Sequence, residues 1–181
     1  MKSDTAGFTL FELLLTIGVA ALATALSLPA LGDVVARNRI RVETNALYHA
    51  LHRGRRESIM RNQYVSLCKT ANGIVCDPSL GWDVGWMVFV DADQDFPPQR
   101  DAGETLVQYH RPGATVRILA NRNAFVIRTA RRRTTNGSFL FCDETNRTDG
   151  LGLIVSYTGR PRTVPVTDVA GRLSCGSYDK P

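Results

Sequence analysis

An apolar run near the amino terminus constrains this chain more than any other feature. Residues 8–31 carry one ionisable side chain, Glu12, and are otherwise uncharged and mostly apolar. About 20 apolar residues in a helix cross the hydrocarbon core of a bilayer. A carboxylate at that depth costs about 2.5 to 3.5 kcal/mol and is usually paired. The run therefore predicts a transmembrane helix over 8–31 in which Glu12 has a partner.

The residues before this run distinguish it from a secretory signal peptide. A signal peptide has a basic segment, a shorter apolar run and a small-residue cleavage site after that run. In this chain the small residue, Gly7, comes before the run and ends a short polar leader over 1–7. Cleavage after Gly7 would leave the apolar helix on the mature protein, with Phe8 as its first residue.

The stretch "GFTLFELLLTIGVAAL" resembles the class III signal of type IV pilins and pseudopilins. The resemblance implies cleavage after Gly7 by prepilin peptidase and N-methylation of Phe8. It also implies that Glu12 pairs with the α-ammonium of Phe8, in a neighbouring subunit or in its own chain, as subunits stack into a filament. The alternative is an ordinary signal anchor with an incidental glutamate, which leaves the spacing of these three residues to coincidence.

Two features of the sequence disagree about the side of the membrane. Arg37, Arg39 and Arg41 after the run outnumber Lys2 before it, and this bias alone favours a cytoplasmic C-terminal domain. The pilin-like signal and the cysteines favour export. We give these greater weight and expect a single-pass protein of the inner membrane of a Gram-negative bacterium. Its C-terminal domain would be periplasmic and would reach the cell surface in an assembled pilus.

The four cysteines follow the apolar run and are Cys68, Cys76, Cys142 and Cys175. An even number in an exported domain favours disulfides, and four cysteines allow three pairings. Their positions in a presumed hairpin favour Cys68 with Cys76, which leaves Cys142 with Cys175 to fasten the C-terminal tail to the sheet. A zinc site is the alternative, but no CxxC occurs and the histidines lack ligand spacing beside the cysteines.

Hydrophobic periodicity divides the remaining chain into one helix and a β domain. Over 32–62, apolar residues recur at helical spacing on one face, with arginines on the other; the predicted apolar face contains Val35, Val42, Ala46, Leu47, Ala50, Leu51 and Gly54. Pro29 and Gly32 predict a kink or local melting. Over 63–181, short segments rich in Val, Ile, Phe and Tyr predict antiparallel strands. We predict an α+β fold in which one long helix packs on a small antiparallel β domain with a C-terminal tail.

The β domain resembles the FimT/GspH family of minor pilins and pseudopilins. The resemblance rests on "VSLCK", "GIVCD", "GWMVFVDAD", "NGSFLFCD", "GLIVSYTGRPR" and the late Cys175. It implies a pilin-like domain with two sheets and association with other pilin subunits. Within it, "GRPR" over Gly159–Arg162 is similar to the GRxR motif of the FimT branch, which implies DNA binding in natural transformation. The GspH branch, a pseudopilin of type II secretion, is not expected to carry this motif.

Arginines define the candidate DNA-binding surface. A guanidinium donates in parallel to phosphate oxygens and needs no base identity. Gly159 permits a turn and Pro161 stiffens it, and the acid-free run "RTARRRTT" extends the patch. The predicted DNA-binding residues are Gly159, Arg160, Arg162, Arg131, Arg132 and Arg133. The alternative is that these arginines only solvate a sheet edge and deter strand addition.

Catalytic and metal motifs are weak in this sequence. There is no phosphate loop and no GxSxG, and no histidine adjoins a nucleophile motif, so we expect neither an enzyme nor a cofactor. The acids of "DADQDF" alternate as in a calcium loop, but Phe96 stands where that loop requires glycine and Ala102 where it requires glutamate. We therefore expect a solvated acidic turn and no metal.

Trp82 and Trp86 are expected in the core, and the histidines are expected to be structural or exposed.

Two functions remain for this chain. The first is a minor pilin that binds DNA without sequence preference and supports natural transformation or pilus assembly. The second is a structural pseudopilin of a type II secretion system that does not bind DNA. The "GRPR" segment favours the first.

Overall fold

The structure, a computed structural model, contains one long helix and two antiparallel sheets. It describes residues 9–128, 133–169, 171 and 173–176, without the side chains at 26–30. The elements are α1 (Leu10–Arg61), β1 (Tyr64–Lys69), β2 (Trp86–Asp91), β3 (Leu106–His110), β4 (Val116–Ala120), β5 (Ala124–Ile127), β6 (Gly137–Asp143), β7 (Leu151–Val155) and β8 (Pro161–Pro165), then a short 3₁₀ helix (Val166–Asp168). The first sheet has the order β3-β2-β1-β5 and the second β4-β6-β7-β8. The predicted α+β fold is confirmed, with β8 as an additional strand.

The chain forms two compact units, which divide after Val35. In the first unit, Thr9 caps α1, because the Glu12 N–H donates to Thr9 Oγ1 at 3.3 Å. The spacing of Thr9 and Glu12 is that of a capping box, in which the glutamate reaches back to the N-cap N–H. Gly7 and Phe8 lie outside the described residues. Thr9 therefore caps the helix start through the Glu12 backbone, a contact that the sequence analysis missed.

The described helix is continuous, but it does not settle the membrane prediction. α1 runs without a break through Pro29 and Gly32, so the predicted local melting does not occur. Within the part of the chain that the structure describes, no helix combines the length and the hydropathy that crossing a bilayer requires. The predicted span over 8–31 includes Phe8 and the side chains at 26–30, which lie outside the described part, and it stays a prediction.

In the second unit, α1 packs on the first sheet through the predicted apolar face. Leu47, Ala50 and Leu51 are fully buried. A β-carbon on Gly54 would lie 3.1 Å from Ile127 Cδ1 and 3.2 Å from the Cγ1 atoms of Val65 and Val88. Glycine at this position lets the helix backbone approach the central strands closely.

The upper end of the predicted face is wrong in two places. Val35 is 40% exposed and Val42 is 53% exposed. The buried positions of this part of the helix are instead Ala36, Ile40, Glu43 and Thr44. The Thr44 hydroxyl donates to the Ile40 carbonyl at 2.8 Å, and Glu43 is satisfied by the β domain. Polar side chains that have hydrogen-bond partners can therefore be buried on this helix, although hydropathy alone predicts the valines at the buried positions.

Aromatic side chains fill the core between the two sheets. Trp82 and Trp86 are buried there, as predicted. The Trp82 ring centroid lies 5.0 Å from that of Phe139, and its indole N–H donates to the Arg122 carbonyl at 3.0 Å. The indole is thus buried with its donor satisfied.

Two disulfides join the four cysteines with the predicted pairing. Cys68 bonds to Cys76, and Cys142 bonds to Cys175. Cys68 lies on β1 and Cys76 in the connection to β2, and these two strands pair antiparallel, so the pair lies within a hairpin as presumed. Cys175 fastens the C-terminal segment to β6, and its carbonyl accepts from Arg117 Nη2 at 2.9 Å.

The acidic turn after β2 is only partly solvated. Asp91 is fully buried, and its carboxylate accepts from the Ser66 hydroxyl and from the Gln94 N–H at 2.8 Å. Burial raises the pKa of Asp91 above its usual value, although both hydrogen bonds oppose this and the charges of Asp95 and Glu104 add to it. Asp91, Asp93 and Glu104 each place one oxygen within 4.8 Å of the others. The buried carboxylate organises the turn backbone, which the sequence analysis did not expect.

A buried carboxylate also links α1 to the first sheet. Glu43 Oε2 lies 2.7 Å from His110 Nε2, and Glu43 Oε1 accepts from the Gly113 N–H at 3.0 Å. The His110 ring in turn lies 4.9 Å from that of Trp86. Burial would raise the pKa of Glu43, but the hydrogen bonds from His110 and Gly113 and the charge of His110 outweigh it, so this pKa is lowered. His110 therefore has a structural role.

We expect this contact to make stability depend on acid pH. A carboxyl whose folded pKa is lowered contributes stability above its unfolded pKa of about 4.3 and loses that contribution as the pH falls through the folded pKa. Glu43→Gln should lower the free energy of unfolding by about 1 to 3 kcal/mol at pH 6, and the difference from wild type should shrink toward pH 3. Urea denaturation of the full chain in non-ionic detergent, followed by tryptophan fluorescence, measures both.

The matched control is Glu57→Gln, which removes a more exposed carboxylate paired with Arg61 at 2.7 Å on the same helix. An ion pair of this kind contributes about 0 to 1 kcal/mol. Equal losses for the two variants, or a loss at Glu43 that does not change with pH, would contradict the role given to the buried pair.

Candidate nucleic-acid interface

The "GRPR" segment forms the turn between β7 and β8 and the start of β8. The strands pair in register from Val155 with Pro161 to Leu151 with Pro165, so the turn runs from Ser156 to Arg160. Sequence analysis placed Pro161 and Arg162 in a loop. Both instead lie in β8, an edge strand of the second sheet.

Hydrogen bonds across its ends hold the turn in one conformation. The Gly159 N–H donates to the Ser156 carbonyl at 2.9 Å, and the Ser156 N–H donates to the Arg160 carbonyl at 3.2 Å. The Ser156 hydroxyl also donates to the Arg160 carbonyl, at 3.1 Å. Gly159 has φ of 71°, a conformation that glycine adopts without a steric penalty. The backbone that carries Arg160 is therefore fixed.

Both arginines of the motif are exposed at this turn. Arg160 ends the turn, and Arg162 pairs with Ile154 on β7. Paired residues lie on the same face of a sheet, so Arg162 shares a face with Ile154. Ile154 packs on the small cluster of Leu140, Cys142, Val164 and Val169. Arg162 thus lies on the face of the second sheet that packs against the C-terminal segment.

The connection between β5 and β6 packs directly on this turn. The Thr134 N–H donates to the Tyr157 carbonyl at 2.9 Å, and a β-carbon on Gly159 would lie 3.1 Å from Thr134 Oγ1. Arg128 Nη1 donates to the Arg133 carbonyl at 2.9 Å. Arg133 is exposed, and its guanidinium carbon lies 5.6 Å from the centroid of the Tyr157 ring.

The structure therefore brings Arg133 to the turn that ends at Arg160, two residues before Arg162 on β8. Arg131 and Arg132, which were predicted to extend the same patch, lie outside the described residues. The sequence of 128–137 and of 151–165 contains no aspartate or glutamate. The two segments thus present positive charge without an acid inside either of them.

Two residues of this surface were missed by sequence reasoning. Tyr157 stands within the quoted segment "GLIVSYTGRPR", and the residue is 55% exposed beside Arg133. Thr134 is buried and joins the two segments. The sequence alone shows an aromatic residue within the turn. It does not show the contact of this residue with Arg133, because the two lie in separate segments of the chain.

Comparison with known proteins gives a family and a fold. A family model described as Type II transport protein GspH matches residues 43–159. No curated protein matches this chain. The family match includes Gly159 and ends before Arg160.

Two solved structures share the fold. The type IV minor pilin FimU of Pseudomonas aeruginosa aligns with a TM-score of 0.53 and 18% identity over 72% of this chain and 92% of its own. The minor pseudopilin EpsH from the type 2 secretion system of Vibrio cholerae aligns with a TM-score of 0.50 and 8% identity over 71% of this chain and 98% of its own. At these identities the likeness is one of fold alone.

Pilins and pseudopilins are structural, non-enzymatic subunits of the cell envelope that associate with other such subunits. The family model covers more than half of this chain, and the two solved structures share its fold. The chain belongs to the GspH family of minor pilins and pseudopilins.

Proposed function

We propose that this chain is a minor type IV pilin that binds DNA without sequence preference and supports DNA uptake in natural transformation or pilus assembly. The observation that carries the proposal is the fixed turn Ser156–Arg160, which ends in the exposed Arg160, is followed by the exposed Arg162 on β8, and is contacted at Tyr157 by Arg133. A guanidinium on a fixed backbone loses little entropy when it binds phosphate. Contacts to phosphate position a protein on DNA and carry no base information.

The prolines of β8 argue against the simpler explanation of these arginines. Charged side chains and prolines both protect an edge strand from pairing with another chain. Pro161 and Pro165 lack N–H donors and stand at the two ends of β8. The prolines already protect this edge from pairing with another strand. Protection of the edge therefore does not explain why arginines occur at positions 160 and 162.

The second candidate is a structural pseudopilin of a type II secretion system. It is favoured by the family model, whose match ends before Arg160, and by the fold shared with EpsH. On this account the domain would not bind DNA, and its arginines would only solvate the surface.

Both candidates share the same proposed assembly route. Prepilin peptidase would cleave after Gly7, and residues 8–31 would anchor the subunit in the inner membrane with its β domain in the periplasm until it joins other pilin subunits. Glu12 would pair with the α-ammonium of Phe8. The support is the sequence of the leader and of the apolar run with its single carboxylate.

We expect Arg160→Gln with Arg162→Gln to weaken DNA binding in a salt-dependent way. Each lost phosphate contact removes about 0.9 from the log–log salt slope on duplex DNA, so the slope should flatten by up to about two. Fluorescence anisotropy of a short mixed-sequence duplex with the full chain in non-ionic detergent, across a salt series, measures this. In cells, transformation should fall while pilus assembly continues.

The control is Arg53→Gln with Arg56→Gln, which removes the same charge from exposed positions on α1. It should keep the wild-type slope. If the two double variants lose binding equally, total charge and not the turn is responsible. If the wild-type chain does not bind DNA even at low salt, the pseudopilin function replaces this proposal.

We expect substitutions of Glu12 to separate its charge from its place at the helix start. Glutamine keeps the reach to the N-cap that a capping box uses but carries no charge, so Glu12→Gln should enter filaments as poorly as Glu12→Ala if pairing with Phe8 is required. Both variants should insert into the membrane at least as well as wild type, because the costly charge is gone. Membrane fractionation and immunoblots of sheared filaments measure the two steps. Normal incorporation of Glu12→Gln would contradict the pairing with Phe8.

A further inference from the structure

The turn that carries Arg160 also carries an exposed aromatic ring. Tyr157 is 55% exposed, although its backbone carbonyl is held by the Thr134 N–H at 2.9 Å. The residue is thus anchored through its main chain while much of its side chain faces solvent. Among the described residues, no hydrophobic core cluster contains Tyr157, so packing in the core does not explain an aromatic residue at this position.

Arg133 lies over this ring. Its guanidinium carbon is 5.6 Å from the ring centroid, within the range of a cation–π contact. The contact orders both side chains, and Tyr157 remains 55% exposed in the turn that ends at Arg160. A second pair repeats the arrangement nearby, since Arg128 lies 5.6 Å from the ring centroid of Tyr64.

An exposed ring between arginines suits unpaired bases. Proteins that bind single strands combine positive charge along the backbone with aromatic side chains on which bases stack, and the stacking tolerates any sequence. In a duplex the bases are already stacked on one another, and a ring on a surface turn reaches only the phosphates and sugars. A ring at this position therefore adds affinity only where a base is unpaired.

On the basis of the proposed function, we propose that Tyr157 is a base-stacking residue and that this surface binds single-stranded DNA in preference to duplex DNA. Arg133, Arg160 and Arg162 contact phosphates on either side of the stacked base. The preference is for the strand state and not for a sequence, because every base has a face on which Tyr157 can stack.

The test compares three probes of equal length with the full chain in non-ionic detergent. The probes are a thymidine strand, an abasic strand with the same phosphates, and a mixed-sequence duplex. Wild type should bind the thymidine strand roughly tenfold more tightly than the abasic strand, and also more tightly than the duplex; tighter binding of the duplex would overturn the preference for single strands. Tyr157→Leu should bind both strands alike and should bind the duplex as wild type does. Tyr157→Phe keeps the stacking face and should keep the wild-type preference.

The outcomes separate this inference from the proposed function. If Tyr157→Leu keeps the preference for the thymidine strand, or loses the same affinity on all three probes, the stacking role is wrong while DNA binding by the arginines stands. If wild type binds none of the probes at low salt, both proposals fall. If Tyr157→Leu binds every probe as wild type does but enters pili poorly, the ring is a contact between subunits and the inference is overturned.

Discussion

The packing of α1 against Ile127 connects the helix, the first sheet and the arginine turn. Ile127 is fully buried at the end of β5, where its Cδ1 atom would lie 3.1 Å from a β-carbon on Gly54. Its Cγ2 atom would lie 3.7 Å from a β-carbon on Gly159. Two glycines therefore lie close to the Ile127 side chain: Gly54 on the helix and Gly159 in the turn. A larger side chain at Gly54 would have to displace β5 or the helix, since close-packed interiors do not absorb added volume.

The chemistry of the surface follows from this placement. β5 ends at Ile127, and the arginine segment begins at Arg128. After this segment Thr134 is buried, and it contacts the backbone of Tyr157 and lies next to Gly159. Two segments that are distant in sequence therefore meet through one buried threonine. The positive charge lies on backbone that the core holds in place, which is the condition for binding without a large entropic penalty.

Much of the fold could be predicted because its determinants are local. Helical periodicity identified α1, short segments rich in β-branched and aromatic residues identified the strands, and the small number of cysteines limited the disulfides to three pairings. The errors have tertiary causes. Val42 is exposed because Glu43 finds partners at His110 and Gly113, and Asp91 is buried because Ser66 and Gln94 satisfy its carboxylate. Likewise, nothing in the local sequence places Arg133 over Tyr157.

The central claim is that the turn Ser156–Arg160, with Arg162 and the neighbouring Arg133–Thr135 segment, is the surface that contacts DNA. Amide hydrogen exchange of the full chain, followed by mass spectrometry with and without a single-stranded oligonucleotide at low salt, tests it directly. We predict slower exchange in peptides that cover 156–162 and 133–135, and unchanged exchange in the acidic turn over 91–104. Protection elsewhere, with none at these two segments while DNA is bound, would contradict the claim.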